Sequence, residues 1–183
     1  MGKVYDVIDD RLANWLRQQH MFFVATAPLD ETGSINCSPK GGDSFRILGD
    51  SEVAYQDLTG SGVETIAHLQ ENGRIVLMFC AFEGSPKIVR LHGNGTVLTK
   101  RDQKFEDLVE QFPYHIGTRS IIHIAVNRIS DSCGYSVPLY QFQGNRDILD
   151  KWSENKGEKQ LQKYRQSKNA VSIDGLPGLE SDT

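Results

Sequence analysis

The chain has 183 residues, with 20 Lys plus Arg against 24 Asp plus Glu and a formal net charge of −4. That length holds one domain, or one domain with an appended tail, and 38% hydrophobic with 24% charged residues excludes wholesale disorder. A net acidic chain lacks the basic footprint of a nucleic-acid binder, and no apolar run approaches the ~20 residues that cross a bilayer.

The first predicted element is a helix, in which Ile8, Leu12, Trp15 and Leu16 recur at helical spacing between charges. The period then changes: Met21–Ala27 reads as a buried strand, closed by Pro28 and the Asp30–Gly33 turn. Residues 34–38 are expected to pair back as a second arm, and Phe45–Leu48 and Glu52–Gln56 as another strand, turn and strand. Ser61 and Glu64 have the spacing of a capping box, followed by the apolar side Val63, Ile66, Ala67 and Leu69 and the stop Asn72–Gly73. Arg74–Phe82 and Lys87–Leu98 read as strands, the second bent at its two glycines. Thr99 with Asp102 opens a helix through Phe105, Leu108, Val109 and Phe112, and residues 120–129 form the last strong strand. Hairpin-like connections outnumber crossover helices, which favours an antiparallel barrel over a doubly wound sheet. Beyond Gly144, Ile148, Leu149 and Trp152 lie on one polar helix and Leu161 and Tyr164 on the next. The expected division is a barrel domain over 1–139 and a helical extension with a flexible tail over 140–183.

Three cysteines, Cys37, Cys80 and Cys133, are too few for a disulfide framework and are not at metal-ligand spacing. They read as reduced thiols, Cys80 in the core. Residues 1–20 carry charges where a leader would be apolar, so the expected location is the cytoplasm. His92 and His123 lie at strand positions and make no metal triad.

Two stretches have the residue types for ligand chemistry. Thr59-Gly60-Ser61-Gly62 lies between a strand and a helix start, where backbone N–H groups and the helix dipole favour an anion, with Thr65 as a further hydroxyl. The same spacing serves a plain helix cap. In Asn36-Cys37-Ser38-Pro39-Lys40-Gly41, strand alternation turns Asn36, Ser38 and Lys40 to one face. Such a face serves either solvent or a polar ligand, with Lys40 a point charge for an anion.

Taken in order, N-x-S-P-K-G, then V-A-Y-x-D-L-T-G-S-G-x-E-T, then RIVLMFCAFEGSPKIVRLHGNG resemble the pyridoxamine 5′-phosphate oxidase-related family, over roughly residues 10 to 140. The resemblance implies a six-stranded antiparallel split barrel of mainly β (α+β) class with short peripheral helices. It also implies a homodimer with one FMN at each subunit interface. Its phosphate is then expected near Lys40, Thr59, Gly60, Ser61 and Thr65. The flavin ring is expected along Asn36, Cys37 and Ser38 and along Tyr55 to Asp57. The implied activity is an FMN-dependent oxidoreductase with a nicotinamide donor or another small-molecule substrate. A flavin or haem carrier or sensor, with His92 or His115 as axial ligand, and an F420-using relative are the alternatives. The oxidase's R-x-V-L-L-K strand survives only at its lysine end, and its S-R/K-K becomes Ser61-Gly62-Val63. The pyridoxal-phosphate segment is not evident in 140–183, so the authentic oxidase reaction is not expected. Arg74, Arg90 and Arg119 are the candidates to replace the lost cations.

Overall fold

Alternating burial marks the strands of the computed structural model, which describes residues 2–180. Met21–Thr26 (β2, after a short β1 at Val4–Tyr5) buries Phe22, Val24 and Thr26 and half-exposes the residues between. Asn36–Gly41 (β3) alternates half-buried Asn36, Ser38 and Lys40 with exposed Cys37, Pro39 and Gly41. Phe45–Gly49 (β4), Glu52–Leu58 (β5), Arg74–Cys80 (β6), Ile88–Leu98 (β7) and Thr118–Ser132 (β8) complete the sheet. Its order is β3-β2-β6-β7-β8-β5-β4, every pairing is antiparallel, and β1 pairs with β8. Lys40 on β3 and Asp57 on β5 nonetheless meet at 2.9 Å, so the sheet curls until its two sides close into a split barrel. Eight strands stand where six were expected. β3 and β4, which flank the Gly42–Ser44 turn, were both expected from the residue pattern, so the one strand that the pattern missed is two-residue β1.

Four helices decorate the barrel: Asp10–Arg17 (α1), Glu64–Asn72 (α2), Gln103–Val109 (α3) and Ile148–Lys168 (α4). Asp9 caps α1 by accepting the Leu12 N–H at 2.7 Å, and Leu12, Ala13 and Leu16 face the core. The expected capping box of α2 does not form. The cap position is Val63, with no side-chain hydrogen bond, and Ser61 lies outside the helix in an exposed loop. The expected Thr99 cap is likewise corrected. Asp102 accepts from the Thr99 N–H and hydroxyl, and α3 begins only at Gln103. α4 is two helices joined at Gly157, whose φ of 65° breaks the spiral, matching the two polar helices expected there.

Inside the barrel, Phe22, Phe45, Tyr55 and Phe79 pack with ring centroids 5.0 to 5.7 Å apart, beside Val24, Leu77, Leu91, Ile122 and Ile124. Such buried aromatic and aliphatic area is the main driving force of the fold. A smaller cluster under α3 holds Phe105, Leu108, Phe112 and Ile121. Among the described residues no helix is long and apolar enough to cross a membrane, and no group of three His, Cys, Asp or Glu side chains is placed to hold a metal.

Candidate functional site

Strand pleating and the closing seam build one polar surface from the expected residues. On β3, Ser38 Oγ donates to Asn36 Oδ1 at 3.0 Å, and Asn36 Nδ2 donates to Thr65 Oγ1 at 2.9 Å, tying the strand to the first turn of α2. Thr26 Oγ1 continues the network, 2.9 Å from Nδ1 of buried His68. Burial lowers the His68 pKa and favours the neutral imidazole.

At the other end of the face, Lys40 Nζ donates to Asp57 Oδ1 at 2.9 Å and lies 5.5 Å from the Tyr55 ring centre. Asp57 is 1% exposed; Arg119 Nε donates to its Oδ2 at 2.6 Å and Ser120 Oγ at 3.3 Å. Burial by itself would raise the Asp57 pKa, but the Arg119 and Lys40 charges and hydrogen bonds outweigh it and hold the carboxyl well below the usual range. Tyr55 points into the core, and its sealed hydroxyl has no partner in hydrogen-bond geometry. Burial and then the Asp57 charge push its pKa well above that of an ordinary phenol, against smaller effects of Arg119 and Thr65.

The Thr59–Gly62 loop closes this surface. Thr59 is fully buried; its N–H and Oγ1 both donate to Gly117 O, at 2.8 and 2.7 Å, and its Oγ1 accepts from Arg165 Nε at 2.9 Å. Asn169 Nδ2 donates to Gly60 O at 2.9 Å and to Ser61 O at 3.3 Å, while Arg119 Nη1 donates to Asn169 Oδ1 at 3.0 Å. The N–H groups of Gly60, Ser61 and Gly62 find no acceptor among the described residues. A methyl group added at Gly60 would meet no atom within 4 Å.

Nine of the ten expected residues therefore form one connected surface. The exception is Cys37, exposed on the other side of β3. Of the candidate replacement cations, Arg119 is at the site. Arg74 instead binds Asn72 and the Pro28 carbonyl, and Arg90 donates to Ser132 Oγ. Arg165 and Asn169 were not anticipated. Their signal was an arginine at i+4 from the apolar Leu161, with Asn169 a further four residues on. All three are buried, on the face of α4 that packs against the barrel. The structure also opens a groove of about 1490 Å³ between the α1–β2 corner and residues 140–146, lined by Lys40, by Gln56 of the Tyr55–Asp57 strand and by His115. His115, which also lines that groove, accepts the Gly117 N–H at Nδ1 at 2.8 Å and holds Nε2 2.9 Å from the Asp150 carboxylate, so neither ring nitrogen is free for an axial metal bond.

The arrangement is that of an antiparallel split-barrel protein with a polar face at its seam. A family model of pyridoxamine 5′-phosphate oxidase matches residues 8–133. The pyridoxamine 5′-phosphate oxidase family protein ustO of Aspergillus flavus is 39% identical over 196 residues, covering 97% of this chain and 78% of that protein. The chain belongs to the pyridoxamine 5′-phosphate oxidase family. Solved structures share the fold at lower identity. HupZ of Group A Streptococcus matches 73% of this chain and 99% of its own, with TM-score 0.54 and 22% identity. A pyridoxamine 5′-phosphate oxidase-like protein of Lactobacillus delbrueckii matches 69% and 98%, with TM-score 0.53 and 14% identity.

Proposed function

We propose that the protein binds FMN and acts as an FMN-dependent oxidoreductase, a homodimer with its site at the subunit interface, on a substrate other than pyridoxamine 5′-phosphate. The observation that carries this reading is the joining of β3, β5, α2 and the Thr59–Gly62 loop into one polar face in a chain of this family. The donor set fits a flat, hydrogen-bonding, anionic group. Asn36 and Ser38 lie on the face, the loop carries N–H groups with no acceptor among the described residues, and space is open at Gly60.

Bound FMN supplies hydride-accepting redox chemistry. The chain's own residues orient and tune. Ser38 and Thr65 fix the Asn36 amide, Lys40 and Asp57 set the charge at the far end, and Thr59, Gly60 and Ser61 present the loop to the phosphate. Cys37 takes no part. No side chain is assigned as a general base, because the groups that titrate at the face are committed to one another.

Purified protein is expected to be yellow, or to turn yellow and quench FMN fluorescence on titration. Anaerobic NADH or NADPH is then expected to bleach it, whereas pyridoxamine 5′-phosphate is not. Protein that stays colourless in excess FMN overturns the reading, and bound FMN that no nicotinamide reduces reassigns the protein as a carrier. Sedimentation at twice the protomer mass checks the dimer.

A further inference from the structure

The groove between the α1–β2 corner and residues 140–146 holds about 1490 Å³, more than the ~300–1,000 Å³ of an ordinary small-molecule site. It meets the seam at Lys40 on β3 and Gln56 on β5 without reaching the Thr59–Gly62 loop, so it opens beside the polar face. Five aromatic rings line it: Trp15, Phe82, Tyr114, Tyr140 and Phe142. Tyr114 is 91% exposed, Tyr140 63% and Phe142 42%, so the core does not consume their apolar area. Aromatic side chains gathered on a concave surface instead of being buried mark a surface for a ligand.

The outer wall has no helix or strand over residues 138–147, yet it is fastened. Tyr140 N–H donates to Phe82 O at 2.9 Å and Phe142 N–H to Glu83 Oε1 at 3.0 Å. The Phe142 ring stacks on His20, with centroids 3.7 Å apart and planes 8° from parallel. The charges then set the kind of ligand. Asp43, Glu83, Asp150 and Glu154 line the groove against Lys40 and Arg146. Asp57 answers Lys40 at 2.9 Å, and Arg46 answers Asp43 at 2.7 Å. His115 accepts the Gly117 N–H at Nδ1, so its ring is neutral and gives Asp150 a hydrogen bond without cancelling its charge. What remains is Glu83, Asp150 and Glu154 against Arg146, with Asp150 and Glu154 one turn apart on α4. A phosphate dianion is repelled there. An organic cation meets carboxylates and ring faces together, the combination that holds ammonium groups.

We propose that this groove is the substrate site and that it takes a flat aromatic cation carrying no phosphate. Tyr114, Tyr140 and Phe142 supply the ring contacts, and Glu83, Asp150 and Glu154 supply the opposite charge. Its role as substrate site rests on the flavin reading, which it deepens by naming the class of molecule that meets the flavin; the walls themselves are built without the cofactor. Half of that wall, residues 140–154, lies outside the family match at 8–133.

Two dyes with one ring system and opposite charge test it: 9-aminoacridine, a cation at neutral pH, and acridine-9-carboxylate, an anion. Each is measured by equilibrium dialysis against the full chain, with FMN bound and without FMN. The cation is expected to bind at least about tenfold tighter, a difference of about 1.4 kcal/mol, with the gap narrowing as salt rises. Glu154→Lys, exposed on α4, is expected to cut the gap several-fold. Glu31→Lys makes the same charge change on the exposed turn at the opposite end of the β2–β3 hairpin from Lys40, and is expected to leave the gap unchanged. Tyr114→Ala combined with Phe142→Ala is expected to weaken both dyes several-fold; should that variant fail to fold, the two lysine variants decide. Equal affinity for the two dyes, preference for the anion, or equal loss in Glu154→Lys and Glu31→Lys overturns the proposal. A chain that shows the expected preference but never binds FMN supports the groove and overturns the flavin reading instead.

Discussion

Asp57 is the residue on which most of the site's order depends. It is buried between Lys40 and Arg119, and removing it leaves two cations facing each other across a low-dielectric seam. Asp57→Asn is expected to cost about 3–5 kcal/mol in urea unfolding at neutral pH, the usual result of breaking one side of a buried pair. A variant as stable as wild type would show that the pair is idle. The pH dependence has a definite sign. The folded-state pKa is depressed, so the stabilisation is complete above the unfolded value of about 3.9 and is lost as pH falls below it. Asp57→Asn is therefore expected to flatten the loss of stability below about pH 4 that wild type shows. Of these groups, Lys40 and the hydroxyls were legible in the sequence because strand alternation sorts side chains by face. The Lys40–Asp57 and Arg119–Asp57 pairings were not, because pleating says nothing about which distant strand a face meets. Tyr55 was read correctly as part of the strand, but its side chain fills the core and backs the polar face from beneath, with Lys40 over its ring.

The elements were legible where periodicity was strong, as in β2, β6, β7 and α1, and misplaced where a tertiary contact overrides local chemistry. Ser61 and Glu64 have capping-box spacing, yet Asn169 and Arg119 take hold of the loop carbonyls first, and the helix starts one residue after Val63. The bend expected in β7 is present as a register shift between His92 and Gly93. A Cβ at Gly93 would lie 2.2 Å from Ala125 O and 2.9 Å from Ile124 Cγ2. Gly93→Ala is thus expected to destabilise the central β7–β8 pair by about 1–3 kcal/mol, as overpacking does, with faster amide exchange in β8 as the readout. Gly157→Ala acts elsewhere. Its φ of 65° with ψ of 166° is a nearly glycine-only conformation that costs a side chain about 1–3 kcal/mol, so exchange is expected to quicken in α4 and to leave β7 and β8 unchanged. Equal effects on both regions would mean that α4 and the barrel unfold as one unit.

At the scale of the molecule, a ligand that binds only the closed seam stabilises the whole barrel by mass action. FMN at 100 times its dissociation constant is expected to add about 2.7 kcal/mol. For a chain of this length that is a rise of about 5–11 °C in Tm, at ~2–4 °C per kcal/mol. Differential scanning calorimetry with FMN, and with riboflavin as control, measures it; no shift at saturation contradicts binding at the seam. The extension over 140–183 was read from the sequence as peripheral because its helices are polar on most sides. Composition gave no sign that one buried side, Leu161, Arg165 and Asn169, reaches the Thr59–Gly62 loop. That contact joins residues 106 positions apart, which bears on how the protein is made. Translation adds about 5–20 residues per second, so the loop exists for about 5–20 s before Arg165 and Asn169 are synthesised. Through that interval the nascent loop has at most Gly117 and Arg119 to hold it. The finished arrangement of the seam is therefore an event of the whole chain, and a ribosome that stalls after residue 133 displays a barrel whose Thr59–Gly62 loop has not yet met Arg165 and Asn169.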